Sequence, residues 1–139
     1  MFSNTKVRKI FIKALLIISF IGCDKYDDGI PNIRFQKSIG LIELADVGHL
    51  QAAKVSGGVN GIIIFRLGDN EFKAYERTCP YEVSPNCLAD VGDIQLIARC
   101  PCCGSEFNLA YGDLNKGPSR WPLKQYRAVV SGQMLHISN

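Results

Sequence analysis

The sequence predicts a small all-β domain with antiparallel strands, preceded by an export signal. Short runs rich in β-branched and aromatic residues alternate with turns that contain glycine and asparagine, as is typical of strands joined by tight turns. No window shows the apolar period of an amphipathic helix. At 139 residues the chain has room for one domain with a modest core.

The first 22 residues are predicted to be a signal peptide. They hold four basic residues and no acidic residue, and an apolar run follows at 14–22 (ALLIISFIG). A membrane-spanning helix needs about 20 apolar residues. The run is therefore too short to span a bilayer, and it has the length of a signal-peptide core.

A bacterial lipid anchor is predicted at Cys23. The sequence Phe20-Ile21-Gly22-Cys23 resembles a lipobox, in which the cysteine becomes the lipidated first residue of the mature protein. Residues 23–32 (CDKYDDGIPN) then form a polar tether, which reaches at most about 30 Å at 3.3 Å per residue. We expect the protein in the bacterial cell envelope, outside the cytoplasm, where disulfides can form.

The charge of the folded part argues against a nucleic-acid partner. The signal peptide accounts for the net charge of +3, because the rest of the chain has 12 basic and 13 acidic residues. The expected partners are the membrane, through the lipid anchor, and a protein that the sequence does not identify.

The strands are expected within 38–44, 50–55, 61–66, 72–76, 90–99, 106–109, 125–130 and 133–137. The clearest is 61–66 (GIIIFR), whose apolar run is typical of a buried strand. Gly57-Gly58 and Asn60-Gly61 mark the turn before it, and Ser131-Gly132 closes the last hairpin. This spacing indicates many short strands in one domain.

Five of the six cysteines lie between residues 79 and 103, in the stretches CPYEVSPNC and ARCPCCGSEFNL; the sequence KGPSRWPL follows. This arrangement resembles a Rieske domain, whose two cluster loops read C-x-H and C-x-x-H, followed by Gly-Ser and a Gly-Pro loop. Cys79 and Cys100 match the two cysteine ligands. Gly104-Ser105 and Gly117-Pro118 match the supporting positions. The resemblance implies a Rieske-like domain over 33–139, with a cluster-loop subdomain at 79–122.

The two histidine positions of that pattern hold Tyr81 and Cys103. The resemblance implies a 2Fe-2S cofactor and electron transfer. However, a neutral phenol with a pKa of about 10 is a poor ligand for iron. We therefore expect a domain without a standard cluster, acting as a structural or interaction module.

Three interpretations of the cysteines stay open. By resemblance, Cys87 and Cys102 occupy the positions of a disulfide found in some Rieske domains, and Cys79 with Cys103 could form a second one. Alternatively, Cys79, Cys87, Cys100 and Cys103 supply four thiolates, which suits structural zinc or a cysteine-ligated iron–sulfur centre. The third is a redox-active C-x-x-C at Cys100 and Cys103. No catalytic triad or carboxylate pair is identified, so no enzymatic activity is predicted.

Overall fold

The computed structural model describes residues 27–139, so the signal peptide and Cys23 lie outside the described residues. Ten strands and one 3₁₀ helix form the described part. The strands are β1 Gln36–Gly40, β2 Gln51–Val55, β3 Ile62–Arg66, β4 Phe72–Glu76, β5 Asp90–Val91, β6 Ile97–Arg99, β7 Glu106–Asn108, β8 Leu114–Lys116, β9 Gln125–Ser131 and β10 Met134–Ser138, and the 3₁₀ helix is Leu41–Leu44. Within 27–139, no helix has the length and apolar character that a membrane span requires.

Two antiparallel sheets make up the domain. The larger has six strands in the order β1-β10-β9-β4-β3-β2, and the smaller has four in the order β5-β6-β7-β8. Every strand pair in both sheets is antiparallel. The prediction of an all-β domain with antiparallel strands is confirmed.

Strand β3 lies between two hydrophobic cores, because four consecutive residues from Ile62 to Phe65 are fully buried. Alternate side chains of a strand point to opposite faces. Ile63 and Phe65 accordingly pack into the core that contains Cys79 and Cys100. The even-numbered isoleucines pack into the core of the larger sheet. The core around the cysteine loops is thus packed against a fully buried strand of the larger sheet.

Three elements differ from the sequence prediction. The first expected strand, 38–44, stops at Gly40, whose backbone N–H donates to Glu43 Oε1 over 2.9 Å, and a 3₁₀ helix follows. Within the expected strand at 90–99, Ile94 is 71% exposed and accepts a hydrogen bond from Ile97 N in a turn. Only two short strands therefore form in that range. Strand β8 was not predicted, since its sequence LNK has no strand character.

A buried carboxylate fixes the start of the first cysteine loop. Glu76, at the end of β4, is fully buried and accepts hydrogen bonds of 2.7 to 3.0 Å from Val59 N, Asn60 N, Thr78 N, Thr78 Oγ1 and Tyr126 Oη. Burial alone would raise the pKa of Glu76, but these hydrogen bonds outweigh it and hold the pKa below its ordinary value. The carboxylate therefore joins three segments just before Cys79.

The described part of the expected tether lies against the domain. Asp28 and Ile30 are buried, and Lys124 Nζ donates to the carbonyl oxygens of Ile30 and Pro31 at 3.4 and 3.3 Å. Part of this segment therefore packs against the domain.

Candidate metal centre

Two loops bring three thiols together. The first loop follows β4 and carries Cys79, and the second joins β6 to β7 and carries Cys100 and Cys103. The three sulfur atoms all lie within 4.8 Å of one another, and those of Cys79 and Cys103 are 3.6 Å apart. Cys79 and Cys100 are fully buried, whereas Cys103 is partly exposed. The cluster therefore opens to solvent on the Cys103 side.

The backbone of the second loop closes tightly around its cysteines. Cys100 N donates to Ser105 O, and Gly104 N donates to Cys100 O, each over 2.9 Å. Gly104 has a φ of +72°, in the left-handed region that favours glycine. The glycine allows the chain to reverse directly after Cys103 and return along β7.

A third loop, at 117–119, supports the second one. Ser105 Oγ accepts a hydrogen bond from Ser119 N over 3.1 Å and lies 3.1 Å from the Cys103 sulfur, in hydrogen-bonding contact. A Cβ atom on Gly117 would lie 2.5 Å from Ser105 Cα, so only glycine fits this approach. Ser105 thus joins the third loop to the thiol cluster.

A disulfide joins the two cysteine loops. Cys87 and Cys102 are bonded, with their Cα atoms 5.6 Å apart. While this bond holds, Cys87 has no thiolate to offer, so the four-thiolate set proposed from the sequence is reduced to three. Closing a loop of 15 residues stabilises a fold by about 3 kcal/mol in the chain-entropy model.

Tyr81 lies outside the thiol cluster. Its side chain is 56% exposed, and it lines an open cavity of about 200 Å³. The other residues that line this cavity are Pro80, Pro118, Arg120 and Trp121. Tyr81 therefore forms part of an aromatic surface at the outer end of the loops.

The environments of the thiols differ. Burial raises the pKa of Cys79 to about 12, and the neighbouring thiols add to the rise, while hydrogen bonds from the backbone of Glu82 and Tyr81 partly offset it. Burial also acts to raise the pKa of Cys103, but hydrogen bonds from Ser105 and the two other thiols lower it overall. Cys103 is therefore the thiol that ionises more readily of these two.

The arrangement of loops and strands agrees with that of a known protein family. A sequence model of the Rieske [2Fe-2S] domain matches residues 40–127, which is more than half of the chain. The chain belongs to the Rieske [2Fe-2S] domain family. Comparison with curated protein sequences returned no significant match.

Several solved structures share the Rieske fold. The plasma-membrane Rieske protein PetC3 from the cyanobacterium Synechocystis PCC 6803 is 22% identical with a TM-score of 0.59, covering 74% of this chain and 99% of that one. The ferredoxin of carbazole 1,9a-dioxygenase from Nocardioides aromaticivorans IC177 is 16% identical with a TM-score of 0.51, covering 76% and 97%. NirD from E. coli is 17% identical with a TM-score of 0.50, covering 77% and 98%. At these sequence identities, the structural similarity shows that the fold is shared.

The standard Rieske cluster does not fit the residues of this member. Such a cluster has two histidines on one of its irons, and here Tyr81 and Cys103 occupy those positions. The chain has two histidines in all. His49 contacts Asp69, and His136 on β10 contacts Ser38, so both lie outside the cysteine loops.

The sequence pattern identified all three thiols of the cluster, but it did not show that these three converge without Cys87. The disulfide between Cys87 and Cys102, one of the alternatives that the resemblance implied, is present and removes Cys87 from the ligand set. The role of Ser119 was also missed, because its backbone N–H acts through Ser105 and leaves no sequence pattern.

Proposed function

We propose that this chain is a lipid-anchored Rieske-fold protein of the bacterial cell envelope that holds one Zn²⁺ ion with three thiolates in place of the standard cluster. The observation that carries the proposal is the grouping of the Cys79, Cys100 and Cys103 sulfurs within 4.8 Å. Tetrahedral zinc with Zn–S bonds of about 2.3 Å needs sulfurs about 3.8 Å apart. The Cys79–Cys103 separation of 3.6 Å is close to that value.

Thiolate ligands also determine which metals are suitable. Soft sulfur ligands select Zn²⁺, Cu⁺ and iron–sulfur clusters over Mg²⁺ and Ca²⁺. Three thiolates leave one position of a tetrahedral ion for water or another ligand, and the partly exposed Cys103 marks the open side.

The role proposed for the ion is structural. Cys79 and Cys100 come from different loops, so one ion bound to both would join them next to the existing disulfide. The free energy of such binding adds to the stability of the folded state. The domain would then act as a rigid interaction module at the membrane, for a protein partner that is not yet identified. The sequence pattern at Cys23 supports the lipid anchor.

Electron transfer through an iron–sulfur centre is the second candidate. The loop framework favours it, since backbone hydrogen bonds from Tyr81 and Glu82 reach the Cys79 sulfur and Ser105 is held beside Cys103. A centre with mostly thiolate ligands would have a potential nearer about −400 mV than the imidazole-ligated range of about −150 to +300 mV.

Metal loading distinguishes these functions. The exported protein is purified with its disulfide intact, loaded with Zn²⁺ or with Co²⁺ as a coloured substitute, and assayed for metal content and free thiols. We expect one ion per chain and three protected thiols, with sulfur-to-cobalt absorption. Cys100→Ser should lose the ion, whereas the control Cys87→Ala with Cys102→Ala should keep it, because it leaves the three thiols in place.

Other outcomes of the metal loading contradict the zinc proposal. Two irons with two sulfides per chain, together with visible absorption, would establish the electron-transfer candidate. Absence of metal with a disulfide between Cys79 and Cys103 would leave a module stabilised by two disulfides. The variant Tyr81→His with Cys103→His adds a control, since it restores the histidine pattern and should take up a Rieske-type cluster if the loops keep their geometry.

A further inference from the structure

The N-terminal segment of the described chain leads to the first cysteine loop. Ile30 is buried at 5% exposure, and a Cβ atom on Gly29 would lie 3.4 Å from Val83 Cγ2. Val83 is in the loop that begins at Cys79. The chain therefore reaches the body of the domain at the end that carries the thiol cluster.

The segment is fastened there by several hydrogen bonds. Besides its contacts to the carbonyl oxygens of Ile30 and Pro31, Lys124 Nζ donates to Asn32 Oδ1 at 3.2 Å. Asn139 Nδ2 donates to Asn32 Oδ1 and to Ile33 O, both at 2.7 Å. These contacts fix the position at which the chain enters the domain.

The remaining chain between this point and the proposed anchor is short. Asp27 follows Cys23 by four residues. At about 3.3 to 3.6 Å per extended residue, the Cα atoms of these two residues can be at most about 14 Å apart. A lipid on Cys23 would therefore hold the first cysteine loop near the bilayer surface. The maximum distance from the anchor to the domain is about half of the distance that a free tether from 23 to 32 would allow.

The surface at this end has the composition of a membrane interface. Tyr81 and Val83 are 56% and 45% exposed, and Arg120 is exposed beside Trp121. Tyrosine and tryptophan are enriched at the membrane–water interface, because each side chain has an apolar ring and a polar group that stays in contact with water. An arginine can contact lipid phosphates through paired N–H groups. Glu82 lies between Tyr81 and Val83 in the sequence and is exposed, as is Asp27, so both carboxylates can remain in water.

We propose that the surface formed by Tyr81, Val83, Arg120 and Trp121, termed the loop tip, rests on the lipid bilayer that holds the Cys23 anchor. This inference rests on the lipid anchor of the proposed function and is independent of which metal the thiols bind. The short chain after Cys23 and the fastening by Lys124 determine this orientation. The thiol cluster then faces the membrane, with the turn between β9 and β10 directed away from it.

Trp121 allows a direct test, because it is the one tryptophan of the chain. The full lipidated protein is reconstituted into vesicles of phosphatidylcholine and phosphatidylglycerol, with lipids brominated near the headgroup end of their acyl chains. Bromine quenches tryptophan over short distances. An interfacial side chain lies about 5 to 10 Å into the boundary region, so Trp121 emission should fall by about half relative to unbrominated vesicles.

A matched control moves the reporter to the opposite end of the domain. The variant Trp121→Phe with Gln133→Trp places the tryptophan at the exposed β9–β10 turn. Strand β9 has seven residues, so this turn lies about 20 Å beyond the start of that strand. Its emission should be unaffected by brominated lipid.

Two further variants test the fastening. Ile30→Asp and Lys124→Ala should each free the segment and lengthen the tether, and quenching of Trp121 should then fall towards the control. Unchanged quenching in both variants, or equal quenching of the Trp121 and Gln133→Trp reporters, would overturn the orientation. Quenching that appears only with an added protein partner would also overturn it, in favour of a protein interface. If the parent protein fails to sediment with vesicles, the anchor itself is absent and the inference fails with it.

Discussion

Replacing Glu76 with glutamine should destabilise the domain strongly, because its carboxylate accepts five hydrogen bonds in a fully buried position. Glutamine replaces one oxygen with an NH₂ group, which removes at least two acceptor contacts. The Tyr126 hydroxyl can rotate and accept a hydrogen bond from the new amide. A backbone N–H such as that of Val59 can only donate, so it would lose its acceptor. Loss of a bond to a charged acceptor, with a buried donor left unpaired, costs about 3 kcal/mol in unfolding free energy.

The assay is urea unfolding at pH 7, followed by circular dichroism and by Trp121 fluorescence. A loss of about 3 kcal/mol corresponds to a fall in Tm of about 12 °C or more for a domain of this size. The matched control is Glu71→Gln, on the exposed turn before β4, which should change the free energy by less than about 0.5 kcal/mol. A loss below about 1 kcal/mol for Glu76→Gln would refute the role assigned to this carboxylate.

The same residue predicts the direction of a pH dependence. The pKa of Glu76 is lowered in the folded state from its ordinary value of 4.5, so the unfolded chain takes up the proton first as the pH falls. Its contribution to stability is complete above that ordinary value and is lost as the pH falls through the lower, folded pKa. In Glu76→Gln this part of the acid sensitivity should disappear. A pH profile of the unfolding free energy that keeps the same slope in parent and variant would contradict the reasoning.

The remaining predictions concern the loops and the anchor. Replacing Cys87 and Cys102 together with alanine should cost about 3 kcal/mol in unfolding free energy, measured by urea titration, and no loss would contradict the disulfide. Gly117→Ala should cost at least about 2 kcal/mol, since its Cβ would overlap backbone at a φ of +112°. The control Gly92→Ala, which has open space, should cost less than about 0.5 kcal/mol, and equal effects would contradict the close approach. Cys23→Ser should move the protein from the membrane fraction to the soluble fraction, and unchanged fractionation would exclude the lipid anchor.

The strands of the larger sheet could be predicted because their local pattern and their burial agree. Residues 61–66 contain an apolar run, and residues 72–76 contain the apolar residues Phe72, Ala74 and Tyr75. These apolar side chains are buried in the structure, and β3 and β4 fall at those positions. The smaller sheet was less predictable. Its strands have two or three residues each, and their pairing depends on the loops that they carry. Such strands are too short for an alternating pattern to be recognised.

The site could be predicted as a set of residues but not as a geometry. The spacing around Cys79 and Cys100 identified the two loops, and the same pattern indicated that Tyr81 replaces a ligand. The resemblance placed Cys79 beside Cys103, but the distance between their sulfur atoms and their burial depend on the fold, because 24 residues separate them. The docking of Ile30 was likewise hidden, since DDGIPN has the composition of a linker and is fixed by Lys124 from a distant part of the chain.

X-ray absorption at the zinc edge of the loaded, disulfide-intact protein tests the central claim most directly. Three thiolates from Cys79, Cys100 and Cys103 predict three sulfur atoms at about 2.3 Å and one oxygen or nitrogen at about 2.0 to 2.2 Å. Four sulfur atoms at that distance would require a fourth cysteine and would contradict the three-thiolate centre. Two sulfur atoms or fewer would mean that the cluster does not act as one site.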